Sequence, residues 1–519
     1  MDVAAVNHSY YAALPVVELQ MPTCRGIDIK KLSIPQLQQY LIDRKFSSRD
    51  LVETYLERIQ GLNRHLKAVI EINPDALTIA EQLDNEREDG KLRSPLHGIP
   101  FLVKDNIATK DSMDTTAAIV LIGATVPEDA EIVSLLRDAG AVLLGHANLS
   151  EWAAMRSSYY SEGYSARGGQ CRNPYNLAEN PGGTSSGSAV AVATNMVSFS
   201  IGTETDGSVM FPADRNAVVG IKPTVGLTST KGLIPESSSL DTVGTFGKTV
   251  VDAAIGLDAI TGGFKSVHTS GSYASFVVNK EALKTARFGL PWKRVWELAK
   301  ENEPEQYNAL MTVIKLIREA GAEVVEWREL PSAEEIIPPS GWDCLRTNPN
   351  NIRNLEDIVA WNVRNSEMEG GQPCTHPAWP SGQDNFEQSL ASKGILDDTY
   401  YNALGYIRKK SREEGIDAAL RMSDGSPLDG LLVPLQADGG AACQVAAKAG
   451  YPMIAIPTNI NELGVPFGLA IIQTAWREDL LIKYGSAIED LVGGRSKPMF
   501  RNLKASNYMY VGVKPDYAC

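Results

Sequence analysis

The residues best suited to chemistry lie in one stretch, Pro181–Pro212, PGGTSSGSAVAVATNMVSFSIGTETDGSVMFP. Two loops rich in glycine and hydroxyl groups, Gly182–Ser188 and Thr203–Ser208, flank an apolar run, Ala189–Ile201. Their glycines permit backbone angles closed to other residues and let a ligand approach main-chain N–H groups. N–H groups converging beside a serine hydroxyl give a nucleophile next to an oxyanion hole, which is what acyl transfer needs. The same composition also suits two plain loops around a buried helix and strand, so it does not decide between them. A second candidate lies upstream, where the apolar strand Ile99-Pro-Phe-Leu-Val103 ends on Lys104-Asp105-Asn106. A lysine there either reaches solvent or is half buried; burial lowers its pKa from roughly 10.4 and makes it a usable base.

Several other chemistries fail on spacing. Gly183-Thr-Ser-Ser-Gly187 has the G-x-S-x-G form of a nucleophile elbow, but that motif needs an apolar strand running straight into it. Glu179-Asn-Pro-Gly-Gly183 is no such strand, and no Asp-then-His order with supporting context follows. No Walker lysine follows the glycines, which removes a phosphate loop. The six histidines are dispersed, with no HExxH and no Cys/His cluster, so no metal is expected, and no cofactor either. A serine mechanism with lysine as base remains, and it needs a group to carry the proton between them.

The elements that must hold these residues read as alternating helices and short apolar strands. Residues 33–60 read as two helices, with Ser33-Ile-Pro35 opening the first and Ser47 or Ser48 capping the second. Asp75–Asp89 is a third, ended by Gly90. Asp129–Ala139 is amphipathic, Gly140 closes it, and Ala141–Leu144 is a buried strand; Glu303–Ala320, Gly321 and Ala322–Trp327 repeat the pattern. Phe288–Leu290, Gly430–Val433 and Met453–Ile456 are further strands, and Leu396–Met422 is mostly helix. Fully apolar strands alternating with helices imply an α/β fold, its sheet covered on both faces. Residues 328–395 are rich in Pro, Asn, Gly and Trp without a clear period and suit a pocket-lining region.

The chain has 519 residues, 43% hydrophobic and 22% charged, an ordinary globular composition. Its net charge of −14 argues against nucleic acid or an anionic membrane as the main partner. The start has no basic region followed by a long apolar block, and no apolar run is long enough to span a bilayer. Six cysteines without a CxxC fit reduced thiols in a cytoplasmic protein.

Taken together, these segments resemble the amidase signature family, in particular its fungal and peptide-amidase-like members. The resemblance rests on Gly98-Ile-Pro-Phe-Leu-Val-Lys-Asp-Asn106, Asn148-Leu-Ser-Glu-Trp152, the 182–188 loop and Gly202-Thr-Glu-Thr-Asp-Gly-Ser208. Val219-Gly-Ile-Lys-Pro-Thr-Val-Gly-Leu227, Asp241-Thr-Val-Gly244, Gly450-Tyr-Pro-Met-Ile-Ala-Ile-Pro457 and Pro466-Phe-Gly-Leu469 extend it in order. It implies one large domain built on a central twisted mixed sheet: an N-terminal helical arm (1–90), a signature core (91–270), and a C-terminal part with substrate-pocket insertions (271–519). It also implies a Ser–cis-Ser–Lys triad, with Lys104 as base, Ser208 as nucleophile, and the N–H groups of Thr205, Asp206, Gly207 and Ser208 as oxyanion hole. The family's cis-serine falls on Thr184. Threonine keeps the hydroxyl, but its methyl restricts χ1. Gly183, Ser185 and Tyr451 are expected to touch substrate, while Trp152 and the aromatics of 340–410 belong either to the pocket or to the core. Thr115-Thr-Ala-Ala118 stands where relatives carry a glycine-containing turn, and His146 where they often carry lysine.

The implied function is serine-dependent hydrolysis of a linear carboxamide through an acyl-enzyme. The partner is then a small amide or acyl substrate, with no nucleic acid or membrane and a homodimer left open. Two alternatives use the same residues: acyl transfer or intramolecular condensation on that acyl-enzyme, and a binding protein whose chemistry was impaired at Thr184. A glutamyl-tRNA amidotransferase component fits less well, because the acidic charge is poor for tRNA.

Overall fold

The computed structural model describes residues 20–123, 126–158, 160–262, 271–336, 355–365, 382–394, 397–435 and 437–507. In chain order its strands are β1 (Val69–Ile72), β2 (Pro100–Lys104), β3 (Val142–Ala147), β4 (Tyr164–Ser165), β5 (Gly169–Gln170), β6 (Phe199–Glu204) and β7 (Val219–Lys222). They continue as β8 (Thr242–Gly247), β9 (Arg287–Gly289), β10 (Glu323–Val325), β11 (Gly430–Pro434), β12 (Met453–Ile460) and β13 (Pro466–Ile472). All but the small β4–β5 ribbon join one 11-stranded sheet, ordered β1-β3-β2-β6-β8-β7-β12-β13-β11-β9-β10. β2 runs parallel to β3 and β6, and β9 runs parallel to β10 and β11. The other neighbours are antiparallel, so the sheet is mixed. Strands from residue 69 to residue 472 share this sheet, which makes the chain a single large α/β domain.

β2, β3, β6, β11 and β13 are buried at every position. Covered on both faces, they read in sequence as apolar runs rather than alternating ones. The helical signals hold. Ile34–Ile42 and Ser48–Leu66 form the expected pair, and the Ser47 side chain caps the second by accepting from Asp50 N. Ala76–Glu88, Glu131–Asp138 and Pro304–Glu319 follow their caps to within a residue or two. The Leu396–Met422 helix departs from regularity: Asp398–Ser411 gives way to a wide turn at Arg412–Ile416, where Gly415 takes φ −121° and ψ −107°.

β1, β7, β8 and β13 carry no expectation from pattern. β7 (VGIK) and β8 (TVGTFG) use glycine where neighbouring backbone comes close: a Cβ on Gly244 would meet Ile221 O at 2.5 Å. Much of the 328–395 region lies outside the described residues. Its described helices, Leu355–Arg364 and Asp384–Ser392, pack into a small second core with Trp152, Ala117 and Leu121. Trp152 meets Phe386 edge-on at 5.8 Å and is a core residue. Cys24, Cys171 and Cys443 are buried and unpaired, while Cys344, Cys374 and Cys519 lie outside the described residues. Among the described residues, no helix is long and apolar enough to cross a membrane.

Candidate active site

Lys104 ends β2, between β3 and β6, and both neighbours run parallel to it. That central position buries the side chain completely. The solvent-reaching alternative is therefore overturned: the sequence shows a strand end, but not that the strand lies inside the sheet. Nζ lies 2.6 Å from Thr184 Oγ1, 2.9 Å from Thr203 Oγ1 and 3.3 Å from Thr203 O. Asn106 Nδ2 donates to the same Thr203 hydroxyl at 3.1 Å. Burial pushes the Lys104 pKa down to about 7, against a smaller upward pull from the Glu236, Asp241 and Glu204 carboxylates.

The Thr184 loop turns on two glycines with positive φ, Gly182 (76°) and Gly183 (53°). Neither tolerates a side chain: a Cβ on Gly183 would meet Pro212 Cδ at 2.5 Å, and one on Gly182 would meet Arg215 Cδ at 2.6 Å. Ser150, in the Asn148–Trp152 segment, fixes the loop, its N–H donating to Thr184 O (3.1 Å) and its hydroxyl to Gly183 O (3.2 Å). Every peptide bond among the described residues is trans, so the cis bond implied at Thr184 is not found; the two glycines make the turn without it. Ser185 ties the two loops together, its N–H donating to Ser208 O (3.1 Å) and its hydroxyl to Thr203 O (3.0 Å). The helix that follows, Ser186–Ala193, is buried at every residue and built from small side chains.

Ser208 is buried at 5% exposure, and Thr184 at 3%. The N–H groups of Val209 and Met210 beyond it donate to Glu204 Oε2, at 2.6 and 2.8 Å, and fix the turn that carries the serine. Among the described residues, no protein acceptor takes the N–H groups of Thr205, Asp206, Gly207 or Ser208. More than nine in ten buried backbone N–H groups find a partner. Four consecutive free ones beside a serine hydroxyl can stabilise an oxyanion.

The expected site residues separate. Lys104, Thr184, Gly183, Ser185 and Thr205–Ser208 come together where the ends of β2 and β6 meet the two loops. In this cluster Ser185 acts as a tie between loops. Tyr451 is held by other partners: its hydroxyl donates to Asp417 Oδ2 at 2.8 Å, Arg412 lies over its ring, and its carbonyl accepts from Lys222 Nζ. None of its described contacts is with Lys104, Thr184 or Ser208. His146 is also structural, placed between Asp105 Oδ1 (2.8 Å) and Thr109 Oγ1 (2.9 Å). Thr203, Asn106, Ser150, Glu236 and Asp241 belong to the site and carry no expectation from sequence. All but Glu236 lie in or beside the quoted motifs, and the signal they offered was a hydroxyl, amide or carboxyl inside a motif. Asp206 has both carboxyl oxygens buried without a hydrogen-bond partner, and burial holds its pKa well above the usual carboxylate range.

Comparison with known proteins identifies the family. The family model described as Amidase matches residues 50–373. A Schizosaccharomyces pombe protein named as an amidase is 47% identical, over 94% of this chain and 90% of its own length. A glutamyl-tRNA(Gln) amidotransferase component from Microcystis aeruginosa is 31% identical, over 91% of this chain and 100% of its own. The crystal structure of the peptide amidase from Stenotrophomonas maltophilia superposes with a TM-score of 0.79 at 37% identity, covering 91% of this chain and 99% of that one. With a family model over residues 50–373, a relative 47% identical and a matching fold, the chain belongs to the amidase family.

Proposed function

We propose that the protein hydrolyses a small linear carboxamide through an acyl-enzyme on Ser208, with Thr184 as proton bridge and Lys104 as base. The observation that carries this reading is the 2.6 Å contact between a fully buried Lys104 Nζ and Thr184 Oγ1. A neutral amine has a lone pair to accept the Thr184 proton and two N–H groups for the Thr203 hydroxyl and carbonyl, so all three contacts are satisfied without a charge. With a pKa of about 7, Lys104 is about nine-tenths neutral at pH 8, whereas an exposed lysine would be under ~1% neutral there.

Thr184 gives its proton to Lys104 and takes the proton of Ser208 as Ser208 Oγ bonds to the carbonyl carbon. The carbonyl oxygen becomes an oxyanion and accepts from the N–H groups of 205–208. When the C–N bond breaks, the proton returns through Thr184 to the leaving amine. Water then adds to the acyl-enzyme by the same relay, releasing the acid and restoring Ser208.

The test is active-site labelling with a fluorophosphonate, followed by product analysis on a panel of primary amides. Labelling at Ser208 that is lost in Ser208→Ala, with free acid and ammonia as products, is the expected result. An unlabelled Ser208 in folded protein overturns the reading. The similarity to an amidotransferase component makes acyl transfer the second reading, and transfer of the acyl group to an added amine in preference to water would select it.

A further inference from the structure

One hydroxyl in the site has two carboxyl partners. Thr205 Oγ1 lies 2.8 Å from Glu236 Oε2 and 2.6 Å from Asp241 Oδ1. A threonine hydroxyl has a single proton, and an ionised carboxylate only accepts. If both acids were ionised, one of these contacts would set two lone-pair oxygens against each other with no proton between them. One acid must therefore be protonated and donate to Thr205. Asp241 is the ionised one, because its Oδ2 also accepts the N–H groups of Glu236 (2.8 Å) and Ser237 (2.9 Å). Three donors converge on the Asp241 carboxyl, while the Glu236 carboxyl has the Thr205 contact alone among the hydrogen bonds described.

We propose that Glu236 is a positioning residue, held as the protonated acid at the end of a Glu236–Thr205–Asp241 hydrogen-bond chain that fixes the oxyanion loop and keeps a second negative charge away from it. The inference rests on the reading of Thr205–Ser208 as the oxyanion hole and of Lys104 as the base. Thr205 supplies the first N–H of that hole, so a carboxylate on its side chain would oppose the charge that develops there. The charged and titratable groups around Glu236 are Asp241, Lys104 from the end of β2, Glu204 from the end of β6, Asp206 and Tyr160. Burial, and then the Asp241 charge, push its pKa up to about 8, while Lys104 pulls the other way. A neutral Lys104 favours the protonated Glu236, and a protonated Glu236 favours the neutral Lys104. The working state of the pair thus has its proton on the carboxyl rather than on the amine.

The test uses the rate at which a fluorophosphonate labels Ser208, followed from about pH 5 to about pH 10 in the whole protein and in Glu236→Gln. The wild type should rise through pH about 7 as Lys104 loses its proton, then fall above about 8 as Glu236 loses its own. Glutamine donates to Thr205 through its amide and does not ionise. The variant should keep the rise and lose the fall, and a fall that persists in it overturns the proposal. A second measurement needs no activity: the infrared difference between the two proteins at neutral pH should show loss of a carboxylic-acid C=O band. Loss of a carboxylate band instead overturns the proposal even if the variant does not label. If the wild type shows no rise through about 7, the Lys104 reading fails, and the infrared difference still decides Glu236.

Discussion

Replacing Lys104 with methionine should change how stability responds to pH, by an amount that follows from its burial. In an unfolded chain a lysine titrates near 10.4, whereas in the fold Lys104 titrates at about 7 because it is completely buried. Between those values the unfolded state binds a proton that the folded state does not, so stability rises with pH. The penalty for burying this amine is largest, about 5 kcal/mol, below pH about 7 and disappears above about 10.4. By the same relation it is about 4 kcal/mol at pH about 7.5 and about 2 kcal/mol at pH about 9. Methionine has nearly the same shape and no proton to lose. Its loss of the Thr184 and Thr203 contacts is the same at both pH values and cancels when the two are compared. Urea unfolding of both proteins, under conditions where refolding restores the starting signal, should show the wild type gaining about 2 kcal/mol on the variant between those pH values. A stability difference that stays constant with pH would mean that Lys104 is charged in the fold, and the neutral-base mechanism would fall with it.

Thr184→Val keeps the shape and removes the bridging hydroxyl, so kcat/KM should fall by roughly 10²–10⁴ on a small amide, while Thr184→Ser should stay active; full activity in the valine variant would exclude Thr184 as the relay. Gly187→Ala should destabilise the protein by at least about 2 kcal/mol in thermal unfolding, because a Cβ there would run into the Ala68 carbonyl and lie 2.5 Å from Asn148 O, both backbone atoms. Trp152→Ala should lower stability by about 3–5 kcal/mol through the cavity left against Phe386, yet leave the pH dependence of Ser208 labelling unchanged, which a pocket-lining tryptophan would not do.

The fold was legible wherever apolar runs and caps report local geometry. Ser47, Gly90 and the Glu131–Asp138 stripe mark helices because capping and periodicity act over a few residues. β2 and β11 stand out because burial on both faces makes them continuously apolar. What the sequence could not carry is sheet order. Nothing in Lys104 itself shows that β3 and β6 flank its strand, and that placement turns a strand-end lysine into a buried amine. Glu236 was invisible for the same reason, since its importance comes from a contact with Thr205 in another loop. Tyr451 shows the converse: it sits in a recognisable motif, and only the structure shows its side chain held by Asp417 and Arg412.

Thr184 is where sequence and structure weigh the same residue differently. Seen alone, its extra methyl is a restriction on χ1 at a position that has to pass protons. Under the proposed mechanism that restriction works in favour of the relay. Ser150 holds the Thr184 carbonyl, Ser185 holds the next peptide against Ser208, and Gly183 turns the chain ahead of both. With the backbone fixed on both sides, the remaining freedom is the rotation that aims the hydroxyl. A serine could leave its Lys104 contact by turning about that bond, whereas the threonine methyl removes rotamers from the competition, and the observed one places Oγ1 2.6 Å from Nζ. The requirement on the bridge is a hydroxyl pointed at a neutral amine, and a branched side chain meets it as long as its one allowed orientation is the productive one.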